Sequence, residues 1–333
     1  MQTFAFNRAS SAEQAVHLGS ASQTSQQGAT VRFIAGGTTL TDLMKLGVEQ
    51  PQHLIDINHL PLAQVISTDA GLKVGALVRN SDLAQHPLVK SEYAALSEAL
   101  LSGASAQLRN MATTGGNLLQ RTRCTYFRDN HSACNKREPG SGCAAIGGMN
   151  RTLAIFGTSE HCIATNPSDM NVALTALEAQ VHIRGNSGER VVPIGDFFLL
   201  PGDTPNLENV LQPGDLVTDI ALPAPMAGAR SGYLKLRDRA SYEFALASAA
   251  VVLQVEGGRV RHARVALGGV GTRPWRSLEA EQALIGAPAS AATWQVAAEA
   301  AVKGAKAQSE NGFKIELAKR CVAQALANVA ALS

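Results

Sequence analysis

The feature that most constrains this fold is a segment in the middle of the chain that has no regular apolar pattern. Residues 121–150 read RTRCTYFRDNHSACNKREPGSGCAAIGGMN, with three cysteines and five basic residues. A stretch without the periodicity of a helix or a strand has no apolar face to bury. We therefore predict a loop insertion that is organised by something other than a core of its own.

Four of the five cysteines belong to this insertion, which we take to cover about residues 121–162. They are Cys124, Cys134, Cys143 and Cys162. The first residues show neither a basic region followed by an apolar stretch nor a twin arginine, so we expect no export signal in this chain. An odd cysteine count without such a signal argues against a disulfide framework. Clustered thiols in a reducing compartment more often bind a metal or do redox chemistry.

The cysteine spacing by itself leaves three interpretations open, because it contains neither C-x-x-C nor a ferredoxin run. Zinc is one, since it accepts four cysteines or a mixture of cysteines and histidines, and His131 and His161 are close in sequence. An anionic iron–sulfur cluster, stabilised by the basic residues, is the second, and unliganded thiols are the third. These basic residues are Arg121, Arg123, Arg128, Lys136 and Arg137.

Two glycine turns are candidates for holding a dinucleotide. Gly36-Gly37 follows an apolar strand pattern at 31–35 and precedes two threonines and a helix start. Glycine allows close backbone approach, and successive N–H groups form an anion-binding nest. The pattern is neither G-x-G-x-x-G nor a P-loop, which disfavours a nicotinamide-binding unit. Residues 113–117 form a second such turn, directly before the thiols. A plain strand-to-helix turn explains the first turn equally well when it is taken alone, but two separated turns that could hold one extended dinucleotide from both sides favour a cofactor.

The patterns on either side of the insertion predict two domains, at 1–225 and 230–333. The first 80 residues alternate strand and helix, as in a small α/β unit. Strands are predicted at 31–35, 54–57 and 72–77, and helices at 92–101 and 167–178. A linker is predicted at 223–232, followed by strands at 233–237, 244–255 (partly helical) and 259–268, and by helices at 277–285, 291–305 and 313–332. Cys321 lies on the last helix and is interpreted as a packed thiol.

Composition excludes several classes of partner. Apolar residues make up 45% and charged residues 17% of the 333 residues, a globular composition. The net charge of +2 gives no reason to expect nucleic acid or an anionic membrane surface. No apolar run approaches the roughly 18–20 residues that span a bilayer.

The order and spacing of four motifs identify a resemblance that covers nearly the whole chain. The motifs are Ile34-Ala35-Gly36-Gly37-Thr38, Thr113-Thr114-Gly115-Gly116-Asn117, Ser168-Asp169-Met170 and Lys235-Leu236-Arg237-Asp238-Arg239-Ala240-Ser241. They resemble the FAD-binding middle subunit of the xanthine dehydrogenase family. Most members lack the insertion, and its cysteine runs resemble the periplasmic aldehyde oxidoreductase branch.

The resemblance implies an α+β fold, a PCMH-type FAD-binding domain of two α/β subdomains followed by a C-terminal domain like that of carbon monoxide dehydrogenase flavoproteins. It implies a heterotrimer with a large molybdenum-cofactor subunit and a small subunit carrying [2Fe–2S] clusters. Aldehyde would be oxidised to carboxylic acid on the large subunit, and electrons would pass through this chain's FAD to an external acceptor. Export would occur in the folded state with a signal-bearing partner, giving a periplasmic location; the alternative is cytoplasmic.

The resemblance also assigns residues, and none of them is catalytic for substrate oxidation. Asp169 would accept from ribityl or ribose hydroxyls, Leu216 would pack on the isoalloxazine, and Lys235 would approach its polar edge. Taken singly, Asp169 is also a plausible helix cap and Lys235 a plausible solvated strand residue. The diphosphate would contact Ala35, Gly36, Gly37, Thr38, Thr39 and Leu40 on one side and Thr114, Gly115, Gly116 and Asn117 on the other. A [4Fe–4S] cluster would bind Cys124, Cys134, Cys143 and Cys162.

Two other functions remain possible from the residues. A stand-alone flavin reductase on the same scaffold, like the enolpyruvyl-sugar reductases, has a similar first glycine turn but gives four clustered cysteines no role. A zinc-stabilised interaction module accounts for the cysteines but leaves the paired glycine turns unexplained.

Overall fold

The computed structural model describes residues 1–332, and its first sheet carries the first glycine turn. Three parallel strands lie in the order β1-β3-β2. Parallel neighbours need crossover connections, and two short helices supply them. The predicted alternation of strand and helix is confirmed for residues 5–56, whereas two further strands, Val65–Thr68 and Gly71–Gly75, follow without a helix between them. The elements are β1 (Ala5–Arg8), α1 (Ala12–Gly19), β2 (Val31–Ile34), α2 (Leu40–Lys45) and β3 (His53–Asp56).

The second sheet is antiparallel and is formed by strands that are far apart in sequence. Its five strands lie in the order β4-β5-β8-β6-β7. The chain leaves this sheet after β5 and returns at β6, so residues 76–179 form one long excursion that contains the second glycine turn and the cysteines. The elements are β4 (Val65–Thr68), β5 (Gly71–Gly75), β6 (Gln180–Gly185), β7 (Gly188–Pro193), α10 (Ile194–Phe197) and β8 (Leu216–Pro223).

Seven helices occupy this excursion. The predicted helix 92–101 is confirmed as α5 (Ala94–Ser102), which begins two residues later because Tyr93 before it has non-helical dihedrals (φ −129°, ψ 48°). Its hydroxyl donates to the carbonyl of Pro223 at 3.0 Å, a tertiary contact that sequence periodicity does not reveal. The helices are α3 (Asn80–Gln85), α4 (Pro87–Glu92), α5 (Ala94–Ser102), α6 (Ala106–Met111), α7 (Thr114–Leu118), α8 (Thr125–Arg128) and α9 (Asp169–Ala176).

The third sheet is an antiparallel meander, in the order β12-β11-β10-β9, that is buried on both faces. Alternate residues of β10 face opposite cores: Val251 packs with the C-terminal helices and Val252 with the helices of the excursion. A strand covered on both faces is apolar throughout. The partly helical prediction for 244–255 is therefore wrong. The elements are β9 (Ala229–Leu236), β10 (Ala247–Glu256), β11 (Arg259–Gly268), β12 (Trp275–Arg276), α11 (Leu278–Leu284), α12 (Ala291–Ala301) and α13 (Phe313–Ala330).

The predicted linker at 223–232 is shorter in the structure, because β8 ends at Pro223 and β9 already begins at Ala229. Cys321 is 1% exposed on α13, which confirms the packed thiol, and burial raises its pKa to about 12. Within residues 1–332, no helix combines the length and apolarity that crossing a bilayer requires.

Lys314 is a fully buried lysine that ties α13 to the insertion. Its Nζ donates to the carbonyls of Thr152 (3.0 Å), Leu153 (2.8 Å) and Gly269 (2.6 Å). Burial, helped by the nearby Arg151 guanidinium, lowers the pKa of Lys314 to about 7. An ammonium without a carboxylate partner is costly to bury, so this site is sensitive to protonation.

We predict that the free energy of unfolding rises between pH 7 and pH 10 in the wild-type chain, relative to the Lys314→Met variant. The folded pKa lies below the unfolded value of about 10.4, so in this window the unfolded state binds more protons and stability increases with pH. Urea titrations at both pH values measure the difference. Lys319→Met, a more exposed change on the same helix, is the control; parallel pH profiles for wild type and Lys314→Met would contradict the prediction.

Candidate functional site

The first glycine turn is shaped by a direct contact between two backbones. Gly36 lies so close to residue 111 that a Cβ placed on it would stand 2.0 Å from the carbonyl oxygen of Met111. Gly37 has a φ of +71°, a left-handed conformation that glycine adopts without strain. Both glycines are therefore required, the first by space and the second by conformation.

The backbone N–H groups of residues 36–40 are available for an anion. Within residues 1–332, none of them donates to a protein acceptor, although Thr41 directly afterwards donates to the carbonyl of Gly37 at 3.0 Å. Successive unpaired N–H groups at a turn form a nest that a phosphate oxygen can satisfy. This property favours the diphosphate assignment made for the first turn.

The second turn is differently built, because its amides are already used. Gly115 N–H donates to the carbonyl of Ala76 at 2.8 Å, and Gly116 N–H donates to Thr113 Oγ1 at 3.2 Å. The hydroxyl of Thr114 points into the fold and donates to the carbonyl of Val78 at 3.0 Å. This turn supplies a close-fitting wall rather than a set of free donors.

The two turns face each other across a cleft of about 220 Å³. Nine of the thirteen residues assigned to the cofactor line this cleft, and four do not. Those that line it are Ala35, Gly36, Gly37, Thr38, Thr39, Leu40, Gly115, Gly116 and Leu216. Thr114, Asn117, Asp169 and Lys235 lie outside its lining.

Asn117 and Asp169 belong to a contact that joins the second turn to α9. The Ser168 hydroxyl caps α9 by accepting from the Asn171 N–H, and it donates to Asn117 Oδ1 at 2.8 Å. Asp169 lines a second cavity of about 200 Å³, beside Phe244.

Asp169 and Lys235 are paired with each other. Lys235 Nζ is 2.7 Å from Asp169 Oδ2 and also donates to the carbonyl of Ser102, and its side chain is 3% exposed. The Tyr233 hydroxyl donates to the other oxygen of Asp169 at 2.5 Å. Burial and the adjacent carboxylate raise the pKa of Tyr233 well above its usual value. Lys235 is therefore not a solvated strand residue, and its flavin contact stays a prediction.

The four cysteines of the insertion line one small pocket. Cys134 and Cys143 lie opposite each other in an antiparallel bridge, Cys124 precedes α8, and Cys162 closes the pocket. All four are free thiols, and three of them are buried. The structure thus brings together every residue that the sequence assigned to the metal.

The thiols sit in a polarised environment. Burial raises the pKa of Cys124 to about 11, while hydrogen bonds from the backbone N–H groups of Phe127 and Tyr126 oppose the rise. Burial also raises the pKa of Cys162, and the Lys136 ammonium opposes it. These N–H groups and this cation would stabilise thiolates bound to a positively charged centre.

The insertion does contain a small core, which corrects the sequence prediction. Phe127 is fully buried and packs with Leu43, Leu153, Ile163 and the buried thiols. A few apolar residues from both ends of the insertion are sufficient to form this core. They do not recur at the spacing of a helix or a strand, so the sequence pattern does not reveal them. The order of this loop therefore does not by itself require a bound metal.

Within the part of the chain that the structure describes, no three histidine, cysteine, aspartate or glutamate side chains converge closely enough to hold a single metal ion. The thiols share a pocket without standing at the spacing of ligands to one ion. Four thiolates around an iron–sulfur cube stand further apart than around one zinc ion, since the cube occupies the space between them.

A row of alternating charges connects the cleft with the thiol pocket, and sequence reasoning missed most of it. Arg121 pairs with Glu49 and with Glu208, Glu49 also pairs with Arg32, and Glu208 also pairs with Lys136. Arg32, Glu49 and Arg121 line the cleft, and Lys136 lines the thiol pocket. Glu49 and Glu208 belong to no motif and lie far from each other in sequence, so no local signal marks them.

Comparison with known families now identifies the chain. The family described as the FAD binding domain in molybdopterin dehydrogenase matches residues 2–225, and the carbon monoxide dehydrogenase flavoprotein C-terminal domain matches residues 232–329. The chain belongs to the FAD-binding subunits of the molybdopterin dehydrogenases. The resemblance inferred from the motifs is confirmed, and FAD is the cofactor of this family.

Individual relatives agree with this family membership. The FAD-binding subunit PaoB of the Escherichia coli (strain K12) aldehyde oxidoreductase is 52% identical over 90% of this chain and 92% of that protein. The glyceraldehyde dehydrogenase medium chain of Sulfolobus acidocaldarius is 30% identical over 77% of this chain and 73% of that protein. Like both, this FAD-binding subunit is part of an oxidoreductase.

A solved structure confirms the predicted fold class. A carbon monoxide dehydrogenase of Hydrogenophaga pseudoflava that lacks the Mo-pyranopterin moiety has a chain that superimposes with a TM-score of 0.77 at 27% identity. The superposition covers 99% of this FAD-binding subunit and 98% of that chain.

We predict that Gly36→Ala weakens FAD binding at least tenfold, which is about 1.4 kcal/mol. The added methyl group would meet the Met111 carbonyl and separate the two turns that enclose the cleft. Flavin absorbance per protein, and titration of the apoprotein with FAD, measure the loss. Gly195→Ala is the control, because its Cβ meets nothing within 4 Å. Wild-type FAD affinity in Gly36→Ala would refute the assignment of this turn.

Proposed function

We propose that this chain is the electron-transfer subunit of a molybdenum-dependent aldehyde oxidoreductase and carries both FAD and a [4Fe–4S] cluster. The observation that carries the proposal is the convergence of four thiols on one pocket beside the flavin cleft. The pocket and the cleft are joined through Arg121, which lines the cleft and whose guanidinium stacks on the Phe127 ring of the insertion at 4.6 Å. A redox unit with two adjacent centres explains both features at once.

The substrate class follows from the similarity to two relatives named for aldehyde oxidation. The chain is 52% identical to the FAD-binding subunit of one aldehyde oxidoreductase and 30% identical to the medium chain of a glyceraldehyde dehydrogenase. We assign the partners accordingly: a large molybdenum-cofactor subunit and a small [2Fe–2S] subunit. Oxidation of an aldehyde with water to a carboxylic acid releases two electrons and two protons on the large subunit.

Bound FAD would accept two electrons and two protons and deliver them to an external acceptor. The residues of this chain bind and orient it. The N–H groups of residues 36–40 would bind the diphosphate, Gly115 and Gly116 would form the opposite wall, and Leu216 would exclude water from the apolar part of the cleft. Asp169 is already paired with Lys235 and Tyr233, so it would meet the ligand as part of that buried group.

Cys124, Cys134, Cys143 and Cys162 would hold the cluster, which supplies one-electron chemistry next to the flavin. The backbone N–H groups directed at Cys124 and the Lys136 ammonium suit anionic sulfur ligands. The donor set is four sulfurs, and the only histidine at the pocket, within residues 1–332, is His161. Its ring instead faces Asp203, at 3.4 Å. A four-thiolate centre therefore fits this pocket better than a mixed zinc site, and the spacing of the thiols, too wide for one ion, favours a cluster over a zinc ion bound by four cysteines.

We predict about four iron and four sulfide per wild-type chain, with visible absorption beyond that of flavin. Cys134→Ala should lose the cluster and keep FAD, because Cys134 lines the thiol pocket and not the cleft. Iron, zinc and sulfide analysis of the purified protein, with its spectrum, measures both centres.

Cys321→Ala is the matched control, because Cys321 is also a buried thiol but lies in a different core. It should retain full iron content. Flavin without iron in the wild type would reject the cluster, zinc in its place would support the zinc alternative, and unchanged iron in Cys134→Ala would reject the ligand set.

Substrate oxidation would take place on the large partner subunit, and the complex would lie in the periplasm, where this chain would arrive folded with a signal-bearing partner. We predict that the chain purified alone reduces no acceptor with aldehyde, whereas the co-expressed complex does.

Cell fractionation should find this chain in the periplasm only when the partner retains its signal. Aldehyde turnover by the isolated chain, or export without the partner, would contradict the respective part of the proposal.

A further inference from the structure

Glu208 lies between the two sites and contacts the cation of each. Its Oε2 is 2.5 Å from Arg121 Nε, and its Oε1 is 3.1 Å from Lys136 Nζ. Although burial opposes ionisation, these two cations lower the pKa of Glu208 to about 2. The carboxylate is therefore charged at any pH at which the protein functions.

Lys136 is the cation that faces the thiols. It lines their pocket, is 8% exposed, and electrostatically lowers the pKa of Cys162 against the effect of burial. The ammonium is also fixed by the carbonyl of Pro205, which accepts from Nζ at 2.8 Å. Loss of the charge on Glu208 would therefore leave Lys136 in place but without its neutralising partner.

Arg121 is held at the other end of the same carboxylate. Its side chain is 11% exposed and lies between Glu208 and Glu49, with Glu49 shared further with Arg32. Arg121 thus has a second carboxylate, whereas the only carboxylate paired with Lys136, within residues 1–332, is Glu208. Neutralising Glu208 consequently acts most strongly on the side of the thiols.

We propose that the pair of Glu208 and Lys136 sets the reduction potential of the cluster, with Lys136 as the cation that favours reduction and Glu208 as the positioning carboxylate that offsets it. The inference rests on the proposed cluster. Reduction adds negative charge to an anionic centre, so a nearby cation raises its potential and a nearby carboxylate lowers it. In a partly buried region such charges are only weakly screened.

The test is a redox titration of the purified FAD-containing protein, followed by electron paramagnetic resonance of the cluster. Glu208→Gln keeps the shape and an oxygen acceptor but removes the charge, and should shift the midpoint potential to more positive values. Lys136→Met should shift it to more negative values. We expect each change to alter the oxidised-to-reduced ratio at fixed potential on the order of tenfold, about 59 mV for a one-electron couple.

Glu138→Gln is the matched control, because this glutamate lies on the same insertion but is exposed to solvent. Its potential should equal that of the wild type. Unchanged potentials in Glu208→Gln and Lys136→Met at full iron content, or shifts of the same sign, would overturn the inference. If the Glu208→Gln variant does not retain iron, the sign of the potential shift in Lys136→Met decides. If both variants lose iron but retain FAD, the pair serves to hold the pocket together, and its role in setting the potential is overturned.

If the wild-type chain itself contains no iron, the proposed cluster is rejected. This outcome differs from the others because it is seen without any substitution.

Discussion

The contact between Gly36 and the carbonyl of Met111 sets the position of everything around the site. It brings the end of β2, in the first sheet, against the end of α6, in the long excursion from the second sheet. A side chain at residue 36 would hold these two segments apart, and the cleft between the turns would open. At the same turn, the N–H groups of residues 36–40 have no protein acceptor within residues 1–332 and are free to bind a ligand. One absent methyl group thus supports both the packing of two subdomains and the chemistry of the cleft.

The row of alternating charges between the cleft and the thiol pocket is costly to bury, and this cost argues for a role other than stabilising the fold. Arg121 and Glu49 have side chains that are 11% and 2% exposed, and buried ion pairs of this kind often contribute little net stability compared with apolar residues. Removal of one member, in contrast, leaves an uncompensated charge inside the protein. Such a row is therefore stable only as a unit, which fixes Lys136 at the thiols and Arg121 at the cleft relative to each other.

Much of the fold could be predicted from the sequence, because strand and helix periodicity is local. The strand that ends at Ile34 and the meander from β9 to β11 follow directly from their apolar patterns. The start of α5 after Tyr93, rather than at residue 92, could not be predicted, since Tyr93 makes a contact with Pro223 that is formed only in the folded chain. The small core around Phe127 could not be predicted for a similar reason, because its members come from both ends of the insertion and from residues before it.

The candidate site, too, could be predicted only in part from the sequence. Motif resemblance located the first turn and the four cysteines, and the structure brings each group together. It could not show that Asp169 is already paired with Lys235 and Tyr233, or that Glu208 joins the two sites, because such partners come from distant parts of the chain. The position of the insertion follows from the topology. The chain leaves α7 at Leu118, beside the cleft, and must cross to α9, whose cap Ser168 binds Asn117 of the same turn. An insertion between these two helices begins and ends next to the cleft, so the proposed metal centre in it would be adjacent to the flavin without any change in the three sheets.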